Sequence, residues 1–188
     1  DADMDALAAA AAGYREVADA LGKEQYPNEW ALALISMAMV LYRIGNKETT
    51  PARLKEAAKA FDDALSAFNV EMNPGRWAEA KNGYGTVLLA LAERAQGPEL
   101  AEKAVQTFKD ALEVRKRELV PMLWAQAANN LGAACFALAK RQPSPELFTD
   151  AQKYFSGASE IYRQAGHQKR VIVIEKNLQR LKQIARGG

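Results

Sequence analysis

Apolar residues recur along this chain at steps of three and four, the spacing that places side chains on one face of an α-helix. Leu54, Ala57, Phe61, Ala64 and Phe68 form one such stripe, and Trp124, Ala128, Leu131, Cys135 and Leu138 form another. Polar loops such as Gly45–Thr50 and Arg94–Gly97 separate the stripes. The dipeptides Thr50-Pro51, Gly97-Pro98 and Ser144-Pro145 read as a capping residue followed by proline at the first helical position. Arg115, Lys116 and Arg117 then close one helix at the negative end of its dipole. The pattern predicts eight helices, at about 4–21, 27–44, 51–70, 75–95, 98–118, 121–140, 145–165 and 168–185.

The stripes repeat. Trp30, Trp77 and Trp124 are 47 residues apart, each followed by alanine and each preceded three residues earlier by a proline. Pro51, Pro98 and Pro145 keep the same step, as do Ala57, Ala104 and Ala151; Phe61, Phe108 and Phe155; and Ala64, Ala111 and Ala158. Seven columns in one register without a gap define a repeat of two helical halves. Extended backwards, the register places Leu7, Ala10, Tyr14 and Val17 on Leu54, Ala57, Phe61 and Ala64, so the first helix is a second half without its partner. Extended forwards, it places Gln168–Arg186 in the first-half position. One repeat domain, 1–188, is expected: an orphan helix at 1–22, repeats at 26–70, 73–118 and 120–165, and a capping helix at 168–186.

Asn129-Asn130-Leu131-Gly132-Ala133-Ala134, followed by Ala151, Phe155 and Ala158, resembles the tetratricopeptide repeat. Tyr84-Gly85 with Ala104, Phe108 and Ala111 is a second match, and Met37-Ala38 with Ala57, Phe61 and Ala64 a third. The usual unit is about 34 residues; the 47-residue unit is similar to a long-helix variety found in bacterial proteins and in kinesin light chain layouts. The resemblance implies an all-α fold, a right-handed α-solenoid of antiparallel helix pairs. Gly85 and Gly132 would let neighbouring helices approach closely.

The composition fits this reading. Alanine makes up about a fifth of the 188 residues and favours helix. The formal net charge is +2, too small to argue for nucleic acid or an anionic membrane. Its distribution is uneven. Residues 1–20 carry Asp1, Asp3, Asp5, Glu16 and Asp19 against Arg15, a net −4, and residues 168–188 carry six cations against Glu175, a net +5. The lone Cys135 excludes a disulfide framework within the chain and is compatible with the cytoplasm. The longest apolar run, Ala31 to Tyr42, is too short to span a bilayer. The chain begins at Asp1 rather than methionine, as a piece of a longer protein would.

No catalytic constellation stands out. His167 falls in a turn beside Gly166, and Cys135 sits on an apolar face with Leu131 and Leu138. Gly83-Tyr84-Gly85 lies inside a helix and lacks the strand and lysine of a phosphate loop. Acidic residues show no metal-ligand spacing. We therefore expect no enzyme activity, metal or cofactor.

In tetratricopeptide arrays the first helix of each repeat lines a groove. The resemblance places there Ile35, Asn82, Asn129 and Lys176; Ser36, Gly83, Asn130 and Asn177; Met39, Thr86, Ala133 and Arg180; and Leu32, Glu79, Gln126 and Val173. Such a groove is apolar early, amide-rich in the middle and basic late. Asn82, Asn129, Asn130, Lys176, Asn177 and Arg180 are the candidate partner-binding residues. Asparagine amides both donate and accept, so a row of them suits an extended peptide backbone, and the basic end suits acidic groups. The early positions of the family's carboxylate clamp fall on Ile35 and Met39, which removes a chaperone-binding role. The expected function is a scaffold that binds a protein or peptide segment, with self-association through exposed repeat ends and no membrane contact. A nucleic-acid-binding solenoid using the basic last helix is the alternative.

Overall fold

The computed structural model describes residues 2–187, with side chains described up to Ile184. Among these residues all of the regular secondary structure is helical, joined by turns. The helices are α1 (Ala2–Leu21), α2 (Pro27–Lys47), α3 (Ala52–Leu65), α4 (Pro74–Arg94), α5 (Glu99–Val114), α6 (Pro121–Ala139), α7 (Pro145–Gln164) and α8 (Gln168–Gly187). None is long and apolar enough to cross a membrane.

Two helices end well short of the expected positions, and α2 runs three residues past its own, to Lys47. α3 stops at Leu65 and α5 at Val114, several residues early. After α3, the Ser66 hydroxyl turns back to the Asp63 carbonyl. The Asn69 side chain then accepts the Glu71 N–H at 2.8 Å, a local turn that competes with the helix. After α5, the N–H groups of Leu119 and Val120 turn back to the Lys116 carbonyl. Arg115 therefore caps α5, while Lys116 and Arg117 lie beyond it. Proline opens α2, α4, α6 and α7 as expected, but Pro51 and Pro98 occupy the cap itself rather than the first helical position. Ser144 caps α7 without a side-chain hydrogen bond to the backbone.

The chain divides into two compact units, Asp1–Arg94 and Ala95–Gly188. The division falls inside the second 47-residue repeat, between its two helices. In the first unit, α2 packs against α1, α3 and α4, and α3 packs against α4. In the second, α6 packs against α5, α7 and α8, and α7 packs against α8. Each helix lies mainly against its sequence neighbours.

The cores follow the columns. Phe61, Phe108 and Phe155, and the alanines of their stripes at 57, 64, 104, 111, 151 and 158, are all 0% exposed. Glycine supplies room for the large rings. A Cβ on Gly132 of α6 would sit 2.9 Å from the Phe155 ring of α7, and a Cβ on Gly83 of α4 would run into the Phe61 ring of α3. Gly157 of α7 makes the same concession to Trp124.

Contacts repeat with the sequence. Lys23 Nζ lies 5.6 Å from the Trp30 ring and reaches Ser66. Arg117 lies 5.2 Å from the Trp124 ring and pairs with Glu160. Lys23 and Arg117 share a column two steps apart, as do Ser66 and Glu160. Val70 occupies the cation's column between them, and there Lys81 covers Trp77 at 5.0 Å instead. Arg94 donates to the Ala90 carbonyl at 3.0 Å and Arg141 to the Ala137 carbonyl at 2.9 Å, again one step apart.

Candidate functional site

The second unit contains a cleft of about 400 Å³ built by three helices. α6 contributes Gln126, Asn129 and Asn130, which the i, i+3, i+4 spacing puts on one face. α8 contributes Lys169, Arg170, Val173 and Ile174, and Tyr162 of α7 lies between. α6 and α8 both pack on α7, so the two walls share one support.

Polar groups line the cleft without a carboxylate among them. Arg170 donates from Nη1 to the Tyr162 hydroxyl at 3.0 Å, and its guanidinium lies 5.0 Å from the centre of the same ring. Tyr162 is itself buried. A buried ring that holds a guanidinium by its face and its hydroxyl fixes the direction of that charge. Among the described residues no carboxylate pairs with Lys169 or Arg170, whereas Arg163 nearby is matched by Glu175 at 2.9 Å. The cleft is therefore electropositive.

The amides complete it. Asn129 Nδ2 donates to Asn130 Oδ1 at 3.3 Å. Asn129 Oδ1 is buried and accepts no hydrogen bond. An unsatisfied buried acceptor costs about 1–3 kcal/mol. With Nδ2 held by Asn130, the Asn129 Oδ1 keeps capacity to accept a donor such as a backbone N–H.

Of the six candidate residues, Asn129 and Asn130 line the cleft. Asn82 belongs to the first unit, where it is 7% exposed inside α4. Ile35 is buried as well, and Gly83 lies beneath Phe61. In the first unit Ile35, Asn82 and Gly83 are thus packing surface rather than groove wall, while Ser36 is half-buried. Lys176 and Arg180 are exposed and Asn177 is half-buried on α8, outside the lining. Gln126 and Val173, from the fourth expected column, do line it.

Tyr162, Lys169 and Arg170 were not among the candidates. Tyr162 falls in the column of Phe68 and Arg115, all three buried. A polar-tipped aromatic in a buried column was the available signal for it. His167 lies in the turn between α7 and α8, beside Gly166 at φ 76°, edge-on to the Tyr162 ring at 6.1 Å. Cys135 is buried in α6, and burial pushes its thiol from 9.0 up to about 12, with the Asp150 carboxylate adding to the effect. It is a packed thiol, not an activated nucleophile.

Compared with protein-family models and with curated proteins, the chain matches none. Among solved structures it is similar to a chain titled "DHF58 filament", at 20% identity and a TM-score of 0.43, over 93% of this chain and 86% of that one.

Proposed function

We propose that this chain is a protein-interaction module of the tetratricopeptide type, with helix pairs following a right-handed α-solenoid course within each unit. It binds an extended protein segment carrying an acidic side chain or terminal carboxylate in the cleft of the second unit. The observation that carries this reading is the meeting, in one cleft, of two cations without a carboxylate partner among the described residues and an Asn129 Oδ1 that accepts no hydrogen bond. The segment's carboxylate would meet Lys169 and Arg170, and its backbone would meet Asn129 and Asn130. No residue is assigned a catalytic role.

A titration of short peptides tests this, comparing a free acidic C-terminus with its amidated, neutral counterpart. The acidic peptide is expected to bind more tightly. Lys169→Glu is expected to slow association and flatten its salt dependence. Asn130→Ala is expected to weaken binding by about 1–3 kcal/mol if the amide is desolvated in the complex. Peptides that bind equally whatever their charge, and ignore both substitutions, would remove the cleft from consideration.

The exposed cations Lys169, Arg170, Lys176, Arg180 and Lys182 on α8 keep a second reading in view, nucleic-acid binding along that helix. An oligonucleotide in the same titration separates the two. Nucleic acid predicts a steep linear fall of log affinity with log salt, set by the number of phosphates contacted.

A further inference from the structure

The repeat columns identify what each helix face meets in a complete pair. In α3 and α7, residues 57, 61 and 64 and residues 151, 155 and 158 are 0% exposed, and these helices pack both against the first halves of their own pairs, α2 and α6, and against those that follow, α4 and α8. The corresponding residues of α1 are Ala10, Tyr14 and Val17. All three are exposed, Tyr14 at 39% and Val17 at 48%. α1 packs on α2 through its other flank, Leu7, Ala11 and Ala18. Among the described residues no first-half helix covers the Tyr14 side.

α8 has the opposite deficit. It stands in first-half register, with Ile172 in the column of Ala31, Ala78 and Ala125, Gln179 in the column of Gly85 and Gly132, and Lys182 in the column of Leu88 and Cys135. Those column-mates are buried, whereas Ile172, Gln179 and Lys182 are exposed. Among the described residues no second-half helix covers them.

We propose that the uncovered face of α1 docks on the uncovered face of α8 in a second copy of the chain, so that the two complete one helix pair between molecules. Charge points to this occupant. Residues 1–20 carry a net −4 and residues 168–188 a net +5. Glu16, next to Val17, is exposed on α1, and Lys176 and Lys182 are exposed on α8. Pairing α1 with another α1 would set acid against acid.

Size agrees with charge. Within α6 and α7, glycine on the first-half helix admits a ring from the second-half helix. Between copies the room is offered from the other side. A Cβ on Gly13 of α1 would meet nothing within 4 Å, which leaves space for the long stems of Gln179 and Lys182. Ile172 supplies apolar surface for Tyr14 and Val17. The contact is heterologous, since each copy uses a different face, so it propagates unless it closes on itself. It does not depend on the cleft.

Sedimentation velocity on the whole chain tests the proposal. Association is expected to grow with concentration and to weaken as salt rises. Val17→Arg blocks the α1 face, and Lys182→Glu reverses charge on the α8 face. Each variant alone is expected to stay monomeric. Mixed in equal amounts, they are expected to form a dimer that grows no further, because one supplies an intact α8 and the other an intact α1. Both positions are exposed, so helicity and melting temperature are expected to match the wild type. If either variant loses helicity, Tyr14→Lys or Ile172→Glu takes its place. A wild type that remains monomeric at every concentration overturns the proposal. So does a Lys182→Glu variant that still associates with itself, which would indicate pairing of α1 with α1.

Discussion

Gly132 and Gly13 both lie inside helices, yet the same substitution acts on them in opposite directions. Replacing mid-helix glycine by alanine gains about 0.5–1 kcal/mol from backbone entropy. At Gly13 the added methyl meets open space, so Gly13→Ala is expected to stabilise the chain by about that amount. At Gly132 the methyl would sit 2.9 Å from a Phe155 ring that is 0% exposed. Overpacking costs about 1–3 kcal/mol, which outweighs the helical gain. Gly132→Ala is expected to destabilise, and Gly132→Leu more so. Phe108→Ala leaves a cavity and is expected to cost about 3–5 kcal/mol. Urea denaturation of the four variants reads all of these. Cys135 adds a pH dependence. Its thiol, raised to about 12 when folded, remains protonated after an unfolded thiol has ionised near 9.0. The folded state then holds more protons, so stability is present below pH 9 and is lost as pH rises from about 9 to about 12. Cys135→Ala is expected to remove that part of the alkaline slope in a pH series of melts.

At the scale of the helix, the repeat made most of the structure legible. A 47-residue step that keeps proline, tryptophan, alanine and phenylalanine in register allowed weak signals at one position to be read from strong ones at another. All eight helices lie where the pattern puts them. The early end of α3 was not visible because the apolar stripe runs on to Phe68, which is buried although it lies beyond the helix, and after α5 the same column holds Arg115, also buried beyond the last helical residue. A side chain can hold its place in the core from a turn as well as from a helix. The columns also say which side chains share a face, but not what covers that face. For this reason Asn82 and Asn129, equivalent by register, differ in burial. The same consideration orders the helices by protection. α1 and α8 each leave one pairing face uncovered, while α2 and α6 are each packed by three helices. Amide exchange is expected to be faster in α1 than in α2 and faster in α8 than in α6, measured at a concentration where the chain is monomeric. Slower exchange in α1 than in α2 would contradict the uncovered-face description.

Across the whole molecule, the charge asymmetry was plain in the sequence, but its use was not. The basic run of residues 168–188 contributes to the cleft through Lys169 and Arg170 near its start, while Lys176 and Arg180 lie outside the lining. The difference depends on Tyr162, whose ring and hydroxyl hold Arg170 in place, and a tertiary contact of that kind has no signature in spacing. The three tryptophans, each beneath a cation, have a practical consequence. Every indole is a light source whose emission shifts when water replaces its packed surroundings. Trp30 and Trp77 report on residues 1–94, and Trp124 reports on residues 95–188. Trp124→Phe leaves emission from the first unit alone, and the double variant Trp30→Phe, Trp77→Phe leaves emission from the second. Superimposed with one far-ultraviolet melt, their fluorescence curves would tell whether the chain loses its structure as one cooperative block or as two, without any dye attached.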